Sequence, residues 1–153
     1  MRFNFLCVVH RQQLESDPSK AVRLWQDGLD TAQFYCEQGM WPEAISHAGC
    51  AFEIADIILS HRFINYLLAC DRFCYSTLLI SEIFSRLDCE NEARQVLTMA
   101  IDRYERELNL STLGRDTIAD CLNQLYVFGS AHLSSSENYS YKTGICSPKI
   151  TIN

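Results

Sequence analysis

Cys70 and Cys74 stand four residues apart and His47 and Cys50 three apart, so each pair shares one face if its segment is helical. Together they are four soft ligands of the kind that enclose zinc tetrahedrally. Such a site needs the two helical faces to meet. A line of alanines, Ala44, Ala48, Ala51 and Ala55, claims the inner side of the helix that carries His47 and turns the histidine aside. A disulfide between Cys70 and Cys74 is opposed as well, because side chains one turn apart on a helix sit too far apart for relaxed bridge geometry. The expectation is that neither a metal nor any other cofactor is bound.

Acid–base and nucleophilic chemistry find no better footing. Glu43 with His47, Glu53 with Asp56, and Glu90 with Glu92 fall on expected hairpin ends or solvated faces, away from any nucleophile. The histidines at 10, 47, 61 and 132 are dispersed, and the sequence holds no His-Glu-x-x-His, no Gly-x-Ser-x-Gly and no phosphate loop among its 6 glycines. A non-catalytic protein is expected.

Composition narrows the partners. With 13 Lys plus Arg against 19 Asp plus Glu, the formal charge of -6 repels a phosphate backbone, so nucleic acid is not expected. The 153 residues are 48% hydrophobic and 21% charged, which suits one globular domain. Phe3 to Val9 is too short for the core of an export signal, and the apolar stretch from Phe63 to Leu87 carries Asp71, Arg72, Glu82 and Arg86. Neither segment is expected in a membrane, and a cytoplasmic location follows. The 8 cysteines are then reduced thiols packed as small hydrophobes.

The elements that would position these residues are helices. Asp17-Pro18 opens the first, with Asp17 capping free N–H groups and Pro18 at the first turn, and Gly39 ends it near Gln38. Pro42 restarts the chain as a second helix over about 41–61, whose alanine line requires a close neighbour. The short loop makes that neighbour the first helix. A third helix over about 63–87 is apolar nearly all round and therefore central. A fourth follows over about 90–108, with Ala93, Val96, Leu97, Ala100, Ile101 and Tyr104 inward. Ser111 or Thr112 caps a fifth, reaching about Phe128, which serves as a lid. Residues 1–16 are expected as an apolar N-terminal segment, 17–133 as the helical domain and 134–153 as a polar tail. Phe3 to Val9 and Ile150 to Ile152 alternate as a small strand pair would.

Ala32, Tyr35, Gly39, Trp41, Glu43, Ala44, Ala48 and Ala51 follow the offsets at which the tetratricopeptide repeat locks one helix against the next. A looser copy lies 49 residues on, with Phe84, Asp88, Glu92, Ala93, Leu97 and Ala100 at the positions of Tyr35, Gly39, Glu43, Ala44, Ala48 and Ala51. The chain resembles that family over about 25–58 and more loosely over about 75–107. Its period of 49 exceeds the family's 34. The resemblance implies an all-α fold of two antiparallel helical hairpins stacked as tetratricopeptide-like repeats, closed by the C-terminal capping helix. Trp25, Tyr35 and Trp41 would then pack within the first hairpin.

The resemblance also implies a groove lined by the first helix of each hairpin. On matching positions its residues are Gln26, Leu29, Gln33, Cys36 and Glu37, then Tyr75, Leu78, Glu82, Ser85 and Arg86. The occupant would be a peptide or helix of another protein, making this an adaptor or regulatory protein; a homodimer is also admitted. A second resemblance, in Thr117 to Phe128, is to the late helix of flagellin-type export chaperones. A secretion chaperone is the alternative reading, and a Cys/His metal sensor stands behind it.

Overall fold

In the computed structural model, which describes residues 3–133, the chain is all-α. Six helices follow in order: α1 (Val8–Ser16), α2 (Pro18–Glu37), α3 (Trp41–His61), α4 (Tyr66–Arg86), α5 (Glu90–Leu110) and α6 (Arg115–Leu133). The expected tail from residue 134, with its strand at 150–152 and its Tyr139 and Tyr141, lies outside the described residues. None of the described residues is in a strand, so Phe3 to Val9 does not form the other half of a strand pair. No described helix is long and apolar enough to cross a membrane.

The start of α2 follows the local chemistry. The Lys20 N–H donates to the Asp17 carboxylate at 3.0 Å, and Pro18 occupies the first turn, where no N–H is needed. At its other end Gly39 adopts φ 69°, which lets the Met40 N–H reach the Tyr35 carbonyl at 2.9 Å and the Gly39 N–H reach Cys36 at 3.0 Å. Those two bonds are the left-handed helix stop in which glycine pays no Cβ penalty.

The same stop recurs 49 residues later. The Cys89 N–H donates to Phe84 at 2.9 Å and the Asp88 N–H to Ser85 at 3.2 Å, with Asp88 at φ 56°. Here a residue with a Cβ occupies the left-handed position, which costs about 1–2 kcal/mol, less for an aspartate than for a branched side chain.

Packing runs from neighbour to neighbour: α2 against α3, α3 against α4, α4 against α5, and α6 against both α4 and α5. Ala44, Ala48, Ala51 and Ala55 are all buried, as their spacing requires. Where α2 crosses them, a Cβ on Gly28 would stand 3.3 Å from the His47 carbonyl oxygen, so the small residues let two backbones approach. The α4–α5 seam is filled by bulk instead, with Leu97 and Tyr104 on α5 and Phe73 and Cys70 on α4 buried. The Tyr104 hydroxyl donates to the Cys70 carbonyl at 2.6 Å.

Two helix starts differ from expectation. The Asn65 side chain caps α4 by accepting from the Leu67 and Leu68 N–H groups, so that helix begins at Tyr66 rather than Phe63. Ser111 spends its hydroxyl on the Leu113 N–H at 3.1 Å, and α6 starts after Gly114 (φ 74°) and runs on to Leu133. Residues 3–16 pack on the helical body: Leu14 of α1 is buried and Phe5 lies across Gly49 of α3. A Cβ at position 49 would stand 2.3 Å from the Phe5 ring.

Among the described residues two carboxylates are buried, and both are fully engaged. Glu53, expected on a solvated face, is 5% exposed and accepts from the Phe5 and Leu6 N–H groups at 3.2 and 2.9 Å and from Arg11 at 3.0 Å. Glu107, 3% exposed, accepts from Arg62 at 2.7 Å, from the Tyr66 hydroxyl at 2.9 Å and from Arg103 at 3.0 and 3.1 Å. Arg103 also reaches Asp56 at 2.8 Å, tying α5 to α3.

Candidate functional site

The cysteines expected to matter separate into two surroundings. Cys70 and Cys74 meet Cys121 of α6: the Cys74 thiol points at the Cys121 carbonyl at 3.8 Å, and the Cys121 thiol at the Cys70 carbonyl at 4.0 Å. Burial pushes the Cys70 thiol up to about 11. Cys74 is also raised, first by its hydrogen bond to Cys121 and then by burial. Cys70 and Cys74 are thereby held as protonated thiols, whereas the hydrogen bond with Cys74 lowers Cys121 despite its burial. His47 stacks on Tyr35 at 5.6 Å, and the Cys50 thiol donates to the Phe5 carbonyl at 3.6 Å. The four groups considered as zinc ligands therefore have other partners, and no cluster of three or more such groups is placed to hold a metal among the described residues.

The surface shared by α2 and α4 is a better candidate. Trp25 of α2 is buried against α4 and donates its indole N–H to the Ser76 hydroxyl at 2.9 Å. The Gln33 amide on α2 hydrogen-bonds the Tyr75 hydroxyl on α4. Glu82 raises the Cys36 thiol from across the same seam, after burial, which contributes more. These side-chain contacts tie α2 to α4, whose backbones each pack chiefly on α3.

Along α4, Leu68, Arg72, Tyr75, Leu79, Glu82 and Arg86 recur at alternating spacings of four and three, which places them on one stripe of a helix. Leu68 and Tyr75 are exposed, Tyr75 at 46%. Helix α4, apolar nearly all round, thus keeps this stripe open. Arg86 ends the stripe, bound to Glu82 at 2.7 Å and lying over the Trp41 ring at 5.3 Å. Across the seam, α2 presents Gln26, Gln33 and Glu37, with Gln26 bonded to Asp30; Phe34, 58% exposed, points about 100° further round that helix than Gln33 and meets the Tyr35 ring.

Of the ten residues expected in a groove, Gln26, Gln33, Glu37, Tyr75, Glu82 and Arg86 reach this exposed surface. Leu29 does not. It is 6% exposed and belongs to the core with Trp25 and Ala32, because the buried line of α2 passes through it. Leu78 is half-buried and packs against the core, as does Cys36, and Ser85 is half-buried with its hydroxyl oxygen out of solvent. Leu68 and Arg72 were missed. Leu68 and Arg72 could have been found by extending the four-and-three spacing back from Tyr75.

The neighbouring α6 helix turns Ile118, Cys121 and Leu125 inward and leaves Tyr126 and Val127 exposed. Core packing accounts for the apolar spacing of Thr117 to Phe128. The His132 ring approaches Glu82 at 3.8 Å, bringing the end of α6 to the end of the α4 stripe.

The class this architecture defines is an all-α protein of neighbour-packed helices. No protein-family model matches the chain, and no curated protein or solved structure matches it.

Proposed function

We propose that the chain is a non-catalytic protein-binding module, an adaptor or regulatory protein that takes a peptide or helix of a partner along the α2–α4 surface. In this reading α2–α3 and α4–α5 are two tetratricopeptide-like hairpins stacked in sequence, and α6 caps the second. The observation that carries it is the exposed stripe of α4, where Leu68 and Tyr75 lie open and the Tyr75 hydroxyl meets Gln33 of α2. Large apolar groups clustered on a surface are costly unless a partner covers them, and aromatic anchors with a polar rim are what protein interfaces use. The buried Trp25–Ser76 bond fixes the two helices before binding, which lowers the ordering cost.

Affinity capture from the native cell tests this, comparing wild type with Tyr75→Glu and Leu68→Glu, and with Glu105→Lys on the far side at α5 as a control. The expected outcome is a specific partner lost from the two surface variants and kept by the control. A partner retained by both surface variants would sink the assignment. A secreted, unfolded partner would favour the export-chaperone alternative.

A further inference from the structure

Arg72 sits in the middle of the α4 stripe, between Leu68 and Tyr75, and its circumstances differ from those of the other half-buried arginines. Arg11 and Arg103 each hold a carboxylate within 3.0 Å. Arg72 forms no ion pair among the described residues, and its Nη1 is buried with no hydrogen-bond partner. Its guanidinium lies 4.5 Å over the Trp25 ring, which is itself fixed by the bond to Ser76. Burial lowers its pKa from the ordinary arginine value, yet an arginine so placed stays charged. A half-buried cation with one buried, unused donor is a standing cost, and natural structures usually explain such groups by what they bind.

We propose that Arg72 is the anion anchor of the α2–α4 surface, receiving a side-chain carboxylate from a bound peptide whose apolar residues lie on Leu68 and Tyr75. The proposal rests on the binding-module reading above. The geometry favours a carboxylate for a definite reason. With one face of the guanidinium covered by an indole and Nη1 buried, an arriving carboxylate meets the remaining N–H groups at the open edge of the half-buried fork, where it pairs edge to edge. The stripe's other cation, Arg86, is already satisfied by Glu82, and Glu37 and Glu82 flank that end. A polyanion would meet those acids and the net charge of -6, whereas a mainly apolar peptide with one acidic residue would meet a single cation.

The test uses the full chain as bait for a library of short random peptides displayed on phage, followed by titration of the selected sequences as synthetic peptides. Selected peptides are expected to carry Asp or Glu at one fixed position relative to their apolar residues. Replacing that acid by its amide should weaken binding to the wild-type protein about tenfold. Arg72→Gln should weaken the parent peptide as much, and the two changes together should add little more. Arg72→Lys, which keeps the charge and loses the fork, should fall between. The peptide-side replacement leaves the protein untouched, so a folding defect in Arg72→Gln cannot imitate the result. Selected peptides that need Tyr75 but show no acidic position, or that bind Arg72→Gln as tightly, would overturn the anchor and leave the binding surface standing. Failure to select any peptide, or indifference of the selected ones to Tyr75→Glu, would overturn both.

Discussion

The α2–α3 and α4–α5 pairs make the same turn with the same two hydrogen bonds, and they differ in almost everything that holds the turn in place. In the first, Gly39 takes the left-handed position and a line of alanines lets the backbones close on each other. In the second, Asp88 takes that position, Leu97 stands where the first pair has Ala48, and a buried carboxylate, Glu107, gathers Arg62, Tyr66 and Arg103. One backbone course is thus reached by close approach in one pair and by bulk and charge in the other. The difference implies that the two pairs should respond oppositely to the same kinds of substitution.

The largest effect should come from breaking the charge cluster. Burial disfavours the Glu107 carboxylate, but its bonds from Arg62 and Tyr66, with Arg103, outweigh that and hold its pKa below the usual carboxylate range. Glu107→Ala should cost about 3–5 kcal/mol in denaturant unfolding, because two arginines lose a shared buried partner. The pH dependence follows from the depressed pKa. The contribution is fully present above the unfolded carboxylate value, about 4.3, and is lost as pH falls through the lower folded value. Unfolding midpoints of wild type should therefore drop with acidification below that point, more steeply than those of the variant.

Exchanging the two packing solutions should give a smaller and asymmetric pair of effects. Leu97→Ala leaves a cavity in the α4–α5 pair and should cost about 2–5 kcal/mol. Ala48→Leu, the reverse change in the other pair, forces bulk between close backbones and should cost about 1–3 kcal/mol. Equal tolerance of leucine at position 48 would show that the alanine line is not what sets the spacing.

Exchanging the turn residues should give the smallest effects, of opposite sign. Gly39→Asp places a side chain in the left-handed region and should lose about 1 kcal/mol. Asp88→Gly removes that strain at the expense of a more flexible unfolded chain, for a net gain of about 0.5 kcal/mol. Thermal unfolding of the two single variants, measured together, decides the point.

What could be read in the sequence was mostly local. Asp17-Pro18, Gly39 and Trp41-Pro42 act on backbone groups within a few residues, and the ends of α2 and α3 follow from them. Helix α1 was hidden because Phe3 to Val9 alternates like a strand while Cys7, an unusual cap, starts the helix through its sulfur at 3.5 Å from the His10 N–H. The start of α6 was misplaced because Ser111 serves its own turn. Within the candidate surface, Leu29 was misassigned by a small angular error. Ala21, Trp25, Leu29 and Ala32 are buried at spacings of four, four and three, which rotates the core line past where an even spacing would put it. The burial of Glu53 and Glu107 was not legible at all, since the groups that satisfy them come largely from residues more than forty positions away.

The contact between Phe5 and Gly49 constrains the history of this chain as well as its packing. A ring that occupies the space of a Cβ makes the two sites a single inherited unit: an alanine at 49 is silent only in a lineage whose position 5 has already shrunk. Descendants should therefore vary at 5 and 49 in step, and an alanine at 49 beside an unchanged Phe5 would push the ring outward and draw the Phe5 and Leu6 N–H groups off Glu53, leaving Arg11 as that carboxylate's partner.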